Sequence, residues 1–127
     1  MADSVKYTKE HEWIRIEGGN VAVIGITEFA QDALGDVVFV DLPEAGESFG
    51  AGEEFGTVES VKTVSELNMP SEAEILEVNA TLADHPEAVN EDPYGKGWIC
   101  VIEMDNASEL DGLMDAEEYG KFAEENK

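Results

Sequence analysis

Gly56-Thr57-Val58-Glu59-Ser60-Val61-Lys62-Thr63-Val64-Ser65-Glu66-Leu67 sets one lysine among small and β-branched residues, in a chain with 7 basic residues against 30 acidic ones. Two readings of its local structure compete. Val58, Val61, Val64 and Leu67 recur every three residues, as one face of a helix would. Thr57, Val58, Val61, Thr63 and Val64 favour extended backbone. The pattern alone leaves both open, and by composition Lys62 reads as a solvated lysine with its charge in water.

On either side of this stretch the chain reads as short strands broken by turns. Upstream, Glu12 to Ile16 and Val21 to Ile26 flank Gly18-Gly19-Asn20 and predict a hairpin. Thr27 then caps a short helix whose Phe29, Ala30, Ala33 and Leu34 share a face, and Gly35 supplies the left-handed stop. A strand follows from Val37 to Leu42, with turns at Pro43 to Gly46 and Gly50 to Gly52 before extended structure resumes at Phe55. Downstream, strands are expected at Glu74 to Val78 and Trp98 to Ile102. Between them come a helical turn opened by Pro86 and a turn-rich loop from Asn90 to Gly97. Ser108 and Asp115 read as helix caps, and Leu113, Tyr119, Phe122 and Ala123 predict a C-terminal helical hairpin against the sheets. The fold class expected is mainly β, a sandwich or barrel with short helices and a C-terminal helical segment.

A length of 127 residues fits a single domain over 1–127, with a core from about 6 to 122 and a frayed tail at 123–127. An apolar content of 43% and clear patterning argue against disorder despite the charge. No run approaches the roughly 18 apolar residues of a membrane helix, and the acidic, arginine-free start lacks the layout of a signal or transit peptide. Cytoplasmic location is the expectation. The lone Cys100 lies in an apolar run and reads as a packed thiol.

The formal net charge of -23 makes nucleic acid and anionic membranes poor partners. A high-salt habitat, where a Debye length of about 3 Å at 1 M removes self-repulsion, accounts for such acidity. An acidic face that docks on basic enzymes accounts for it equally.

No catalytic constellation emerges. His11 and His85 stand at no metal-binding spacing and read as ordinary surface or turn residues. With 30 carboxylates, any acid and base pair lacks specificity. Phosphate-binding glycine loops and the acidic calcium loop are absent from the sequence.

Four stretches together resemble the glycine cleavage H proteins: Lys6 to Trp13, Ile24 to Val40, Phe55 to Lys62, and Val89 to Gly95. The resemblance runs from about Lys6 to Phe122. It implies a flattened two-sheet barrel-sandwich hybrid of the lipoyl and biotinyl carrier type. In that fold Glu59 to Leu67 bends back on itself and presents Lys62 at an exposed hairpin apex. It also implies lipoic acid as cofactor, in amide linkage to Lys62. Exposure lets a lipoate ligase or lipoyl transferase reach the ε-amine, with Glu59, Ser60, Val61 and Thr63 as its recognition residues.

The role implied is carriage, without catalysis by the protein itself. The arm collects an aminomethyl group from glycine decarboxylase, a pyridoxal-phosphate enzyme, and delivers it to an aminomethyltransferase. Dihydrolipoamide dehydrogenase then reoxidises the dithiol. Between visits a cleft shelters the loaded arm, and Glu12 is the residue expected to accept the amine's charge, a contact worth roughly 1.5–3 kcal/mol if desolvated.

Two positions depart from the family pattern: Phe29, where some relatives carry a polar residue such as histidine, and Ala73, where related domains place glycine after the lysine hairpin. The first removes a polar cleft contact, and the second puts ligase recognition at that point in question. Among alternatives, a biotin carrier sets its lysine between methionines, whereas Val61 and Thr63 flank Lys62 here. Lipoyl domains of 2-oxo acid dehydrogenases place the lysine after an acidic residue and are tethered to large acyltransferases. An H-like relay that passes lipoyl groups to other lipoyl proteins fits the same residues.

Overall fold

The computed structural model describes residues 5–106, 110 and 112–125. Strands β1 (Val5–Tyr7), β2 (Glu12–Gly18) and β3 (Val21–Ile26) lead into helix α1 (Glu28–Leu34). Strands β4 (Val37–Asp41), β5 (Ser48–Phe49), β6 (Glu54–Ser60), β7 (Val64–Asn68) and β8 (Ala73–Val78) follow. After them come two single-turn helices, α2 (Thr81–Asp84) and α3 (Ala88–Glu91), then β9 (Cys100–Met104) and helix α4 (Ala116–Glu125). The strands form two antiparallel sheets, β1-β2-β3-β9-β8-β5 and β4-β6-β7, and neither closes into a barrel.

The core lies between the sheets. Ile14, Ile24, Ile75 and Ile102 from the large sheet meet Val40, Phe55, Val58 and Leu67 from the small one, all buried. Each such side chain contributes about 1.5–3 kcal/mol by leaving water. Glycine at position 25 is required by packing: a Cβ there would overlap the indole of Trp13 across the β2–β3 pair. Trp13 is itself held by Nε1–H donating to the carbonyl of Pro93 at 3.0 Å.

The predicted hairpin of β2 and β3 is present, and Thr27 caps α1, its hydroxyl accepting from Ala30 N–H at 3.2 Å. Gly35 ends that helix at φ +84°, a backbone that side-chain-bearing residues rarely adopt. The strand expected over Trp98 to Ile102 instead starts at Cys100. The Asn79 amide holds the preceding segment, donating to the carbonyls of Lys96 and Trp98 at 2.8 Å each. Pro86 lies between two helical turns, not before one alone, and β1 and β5 are additional edge strands.

At the C-terminal end Asp115 caps α4 as expected, in a reciprocal box. Glu118 N–H donates to Asp115 Oδ1 at 2.8 Å and Asp115 N–H to Glu118 Oε1 at 3.1 Å. The Ser108 cap lies outside the described residues. The tail expected to fray from 123 is helical through Glu125, in the same helix that stacks Tyr119 on Tyr7 with ring centroids 4.7 Å apart. No helix among the described residues is long and apolar enough to cross a membrane.

Candidate functional site

The ambiguous stretch is a hairpin. β6 and β7 pair with Val58 opposite Ser65 and Glu59 opposite Val64, so the turn falls at Val61-Lys62-Thr63. The three-residue spacing that suggested a helix face separates into two environments: Val58 and Leu67 are buried, while Val61 is 67% and Val64 56% exposed.

Ser60 shapes the turn. Its buried hydroxyl accepts from the backbone N–H groups of Lys62 and Thr63, both at 3.1 Å, and lies 3.2 Å from the Thr63 carbonyl, to which it donates. Ser60 N–H also donates to that carbonyl at 2.8 Å. A hydroxyl engaged this way favours the turn over a continued ladder. Glu59, Val61, Lys62 and Thr63 are exposed around it.

A second set of bonds fixes the hairpin's position. Val61 N–H donates to the Asp36 carbonyl at 3.0 Å, just after α1. Asn90, on α3, accepts from Val37 N–H at 2.8 Å and donates to the Gly35 carbonyl at 2.8 Å and to Gln31 Oε1 at 3.0 Å. The Lys62 stem rests on Gly35, where an added Cβ would come within 3.2 Å of Cε. Asn90 and Gly35 therefore brace the platform under Lys62. Their long-range bonds left no mark in the spacing of the sequence.

Lys62 makes no ion pair among the described residues, where Arg15 pairs with Glu17 and the His85 ring lies 3.2 Å from the Glu87 carboxylate. A cleft of about 300 Å³ opens beside it. Phe29, Ala30, Ala33 and Leu34, the face read on α1, form one wall, and Thr63 to Leu67 form the other. Glu10, His11, Glu12, Ile26 and Val58 complete the lining.

Glu12 is 1% exposed, and its Oε2 accepts from Asn68 N–H at 2.8 Å. Its other oxygen meets the Thr8 hydroxyl only at 3.5 Å, too far for a strong bond. Burial pushes its carboxyl up to about 8 from an ordinary 4.5, opposed by the Asn68 bond and reinforced by neighbouring Glu10. Burial therefore biases Glu12 toward its neutral, protonated form near neutral pH.

His11 is not the ordinary surface residue expected. It adopts φ +67° just before β2, lines the cleft and stacks on Phe29 with centroids 4.3 Å apart. Its Nδ1 lies 2.7 Å from the Tyr119 hydroxyl, which lies 2.7 Å from Thr27 Oγ1. Phe29 therefore gives the cleft an aromatic wall. Ala73 is buried in the core at the start of β8 and offers no surface to a ligase. Cys100 is buried as expected, its thiol pushed up to about 12 chiefly by desolvation.

Comparison with known proteins places this arrangement. Residues 5–126 match the family model described as glycine cleavage H-protein. The chain is 56% identical over 121 residues to the glycine cleavage system H protein of Symbiobacterium thermophilum, covering 95% of this chain and 94% of that one. It is 54% identical over 125 residues to the mitochondrial H protein of Flaveria pringlei, covering 98% and 76%. The crystal structure of the H protein from Mycobacterium marinum superposes with a TM-score of 0.83 at 41% identity, over 97% of this chain and 96% of that one. The chain belongs to the glycine cleavage H-protein family.

Proposed function

We propose that the chain is a lipoyl carrier of the glycine cleavage system, with Lys62 as the attachment residue. The observation that carries this reading is a single exposed lysine at the tip of a braced hairpin, next to a cleft that contains the buried Glu12. The residues fit the group: the Lys62 amine has no competing ion-pair partner among the described residues, and the cleft's apolar walls suit a hydrocarbon arm. Attachment forms an amide. The Lys62 Nζ would bond to the acyl carbon of an activated lipoyl carboxyl, the activating group would leave with its electron pair, and the amine proton would pass to solvent. When bound, the dithiolane supplies reversible disulfide and dithiol chemistry.

The chain's own residues present and shelter the arm. Ser60, Asp36 and Asn90 hold the hairpin so that Lys62 stands at its exposed tip. Phe29 and Leu34 exclude water from one side of the cleft. Glu12 would face a cationic amine carried on the arm: an ammonium group beside the carboxyl would favour its ionised form, its proton would pass to solvent and an ion pair would form. Partners on this reading are glycine decarboxylase, aminomethyltransferase, dihydrolipoamide dehydrogenase and a lipoate ligase or lipoyl transferase, and the compartment is the cytoplasm. A lipoyl relay shares the hairpin but has no use for a sheltering cleft, which favours carriage.

Intact mass and peptide mapping of protein from cells competent for lipoylation test the reading. A lipoyl adduct on Lys62, absent from Lys62→Arg, and glycine-dependent turnover on adding the three enzymes are expected. Biotin, or an unmodified Lys62, overturns it.

A further inference from the structure

Among the described residues, six large apolar side chains are well exposed, and four of them, Val38, Phe39, Val61 and Val64, lie on the hairpin that carries Lys62 or on the strand paired with it. Strand pairing sets Phe39, Glu59 and Val64 side by side in one row across the outer face of the small sheet, since Phe39 pairs with Glu59 and Glu59 with Val64. A bulge between Val37 and Phe39 leaves Val38 exposed as well. Asp41 and Glu66, both paired with Thr57, form the next row on the same face. An apolar row with a carboxylate at its centre and a carboxylate row behind it is a composite surface that solvation alone does not explain.

We infer that this face, Val38, Phe39, Val61 and Val64 with Glu59, Asp41 and Glu66, seats the enzyme that acylates Lys62, through an apolar pocket rimmed by lysine or arginine. The inference rests on the lipoyl-carrier reading and names a partner for it. A bare lysine reaches only as far as its own side chain, so the acylating enzyme must engulf the hairpin tip and the sheet face that continues from it. Enzymes served later meet a longer arm and need no contact with this row. A second copy of the chain is a poor occupant at low and moderate salt, because two chains of net charge -23 repel. Phe39 is the aromatic anchor of the seat, and the acidic row selects a cationic rim.

The test measures initial rates of Lys62 acylation by purified lipoate ligase with lipoate and ATP, read as a mass shift against carrier concentration. Phe39→Ser is expected to raise KM about tenfold or more with little change in kcat. Phe39→Leu, which keeps an apolar anchor, is expected to restore most of the loss. Phe39 is 53% exposed, and matching unfolding midpoints establish that both variants are folded. An unchanged KM in Phe39→Ser overturns the inference. So does unimpaired acylation combined with loss of turnover by glycine decarboxylase once the variant is fully lipoylated. A parent chain that dimerises in sedimentation, with Phe39→Ser monomeric, also overturns it. Failure of the parent to be acylated on Lys62 at all removes the carrier reading itself, a result distinct from the other three.

Discussion

Glu12 and Asn68 meet across the two sheets, carboxylate Oε2 to backbone N–H at 2.8 Å. Glu12 begins β2 of the large sheet and Asn68 ends β7 of the small one, so the bond sits in the seam where the cleft forms. It fixes a buried carboxyl in place without ionising it, because one neutral hydrogen bond does not offset desolvation of the charge.

That balance sets a pH dependence. Folded, Glu12 keeps its proton up to about pH 8; unfolded, it releases it near the ordinary 4.5. Across that window the native state binds the extra proton, so this group's contribution to stability falls as pH rises, by about 1.4 kcal/mol per unit. Below 4.5 it costs nothing, and above 8 the cost is complete. Glu12→Gln carries no such titration, and its advantage over the parent is expected to grow by about 2 kcal/mol between pH 6 and 8.5. Urea unfolding at the two pH values checks this, and parallel shifts in both proteins contradict it.

Ser60 supports the turn with a side chain that is almost wholly buried. Ser60→Ala leaves two backbone N–H groups, those of Lys62 and Thr63, without their acceptor and is expected to cost about 1–2 kcal/mol. The hairpin tip then loosens. Chemical denaturation gives the energy, and faster amide hydrogen exchange confined to 61–64 locates it; protection equal to the parent's would show that the hydroxyl does not hold the turn.

Charge repulsion gives a third expectation. With 30 acidic residues against 7 basic ones, and Arg15–Glu17 the one pair of a fixed cation with a carboxylate among the described residues, little of the negative charge is locally compensated. Raising salt from about 0.05 M to about 2 M shortens the Debye length to a few ångströms. The thermal midpoint is therefore expected to rise by several degrees, as differential scanning calorimetry would record, with chloride and acetate acting alike. A flat response assigns the acidity to partner docking and not to a high-salt habitat.

Much of the architecture was legible because it rests on local rules. Thr27 as cap, Gly35 as stop, the β2–β3 hairpin and the Asp115 box each follow from residue types a few positions apart. The Lys62 hairpin was not legible from periodicity. Val58, Val61, Val64 and Leu67 satisfy a helical spacing and a hairpin equally, because the turn between Ser60 and Val64 interrupts the strand alternation at the point where it would have decided the matter.

Residue types and their order were enough for the β-rich class, the acidic character and, through the family resemblance, the choice of Lys62. The chemistry around that lysine came instead from how the sheets pack. Glu12, Ser65 and Phe29 are far apart in the chain and line one cleft because the two sheets and α1 converge there. Asn90 reaches from α3 to Gln31, Gly35 and Val37 through bonds that no nearby residue announces. Burial and long-range hydrogen bonding depend on which surfaces meet, and these set the proton on Glu12 and the brace beneath Lys62.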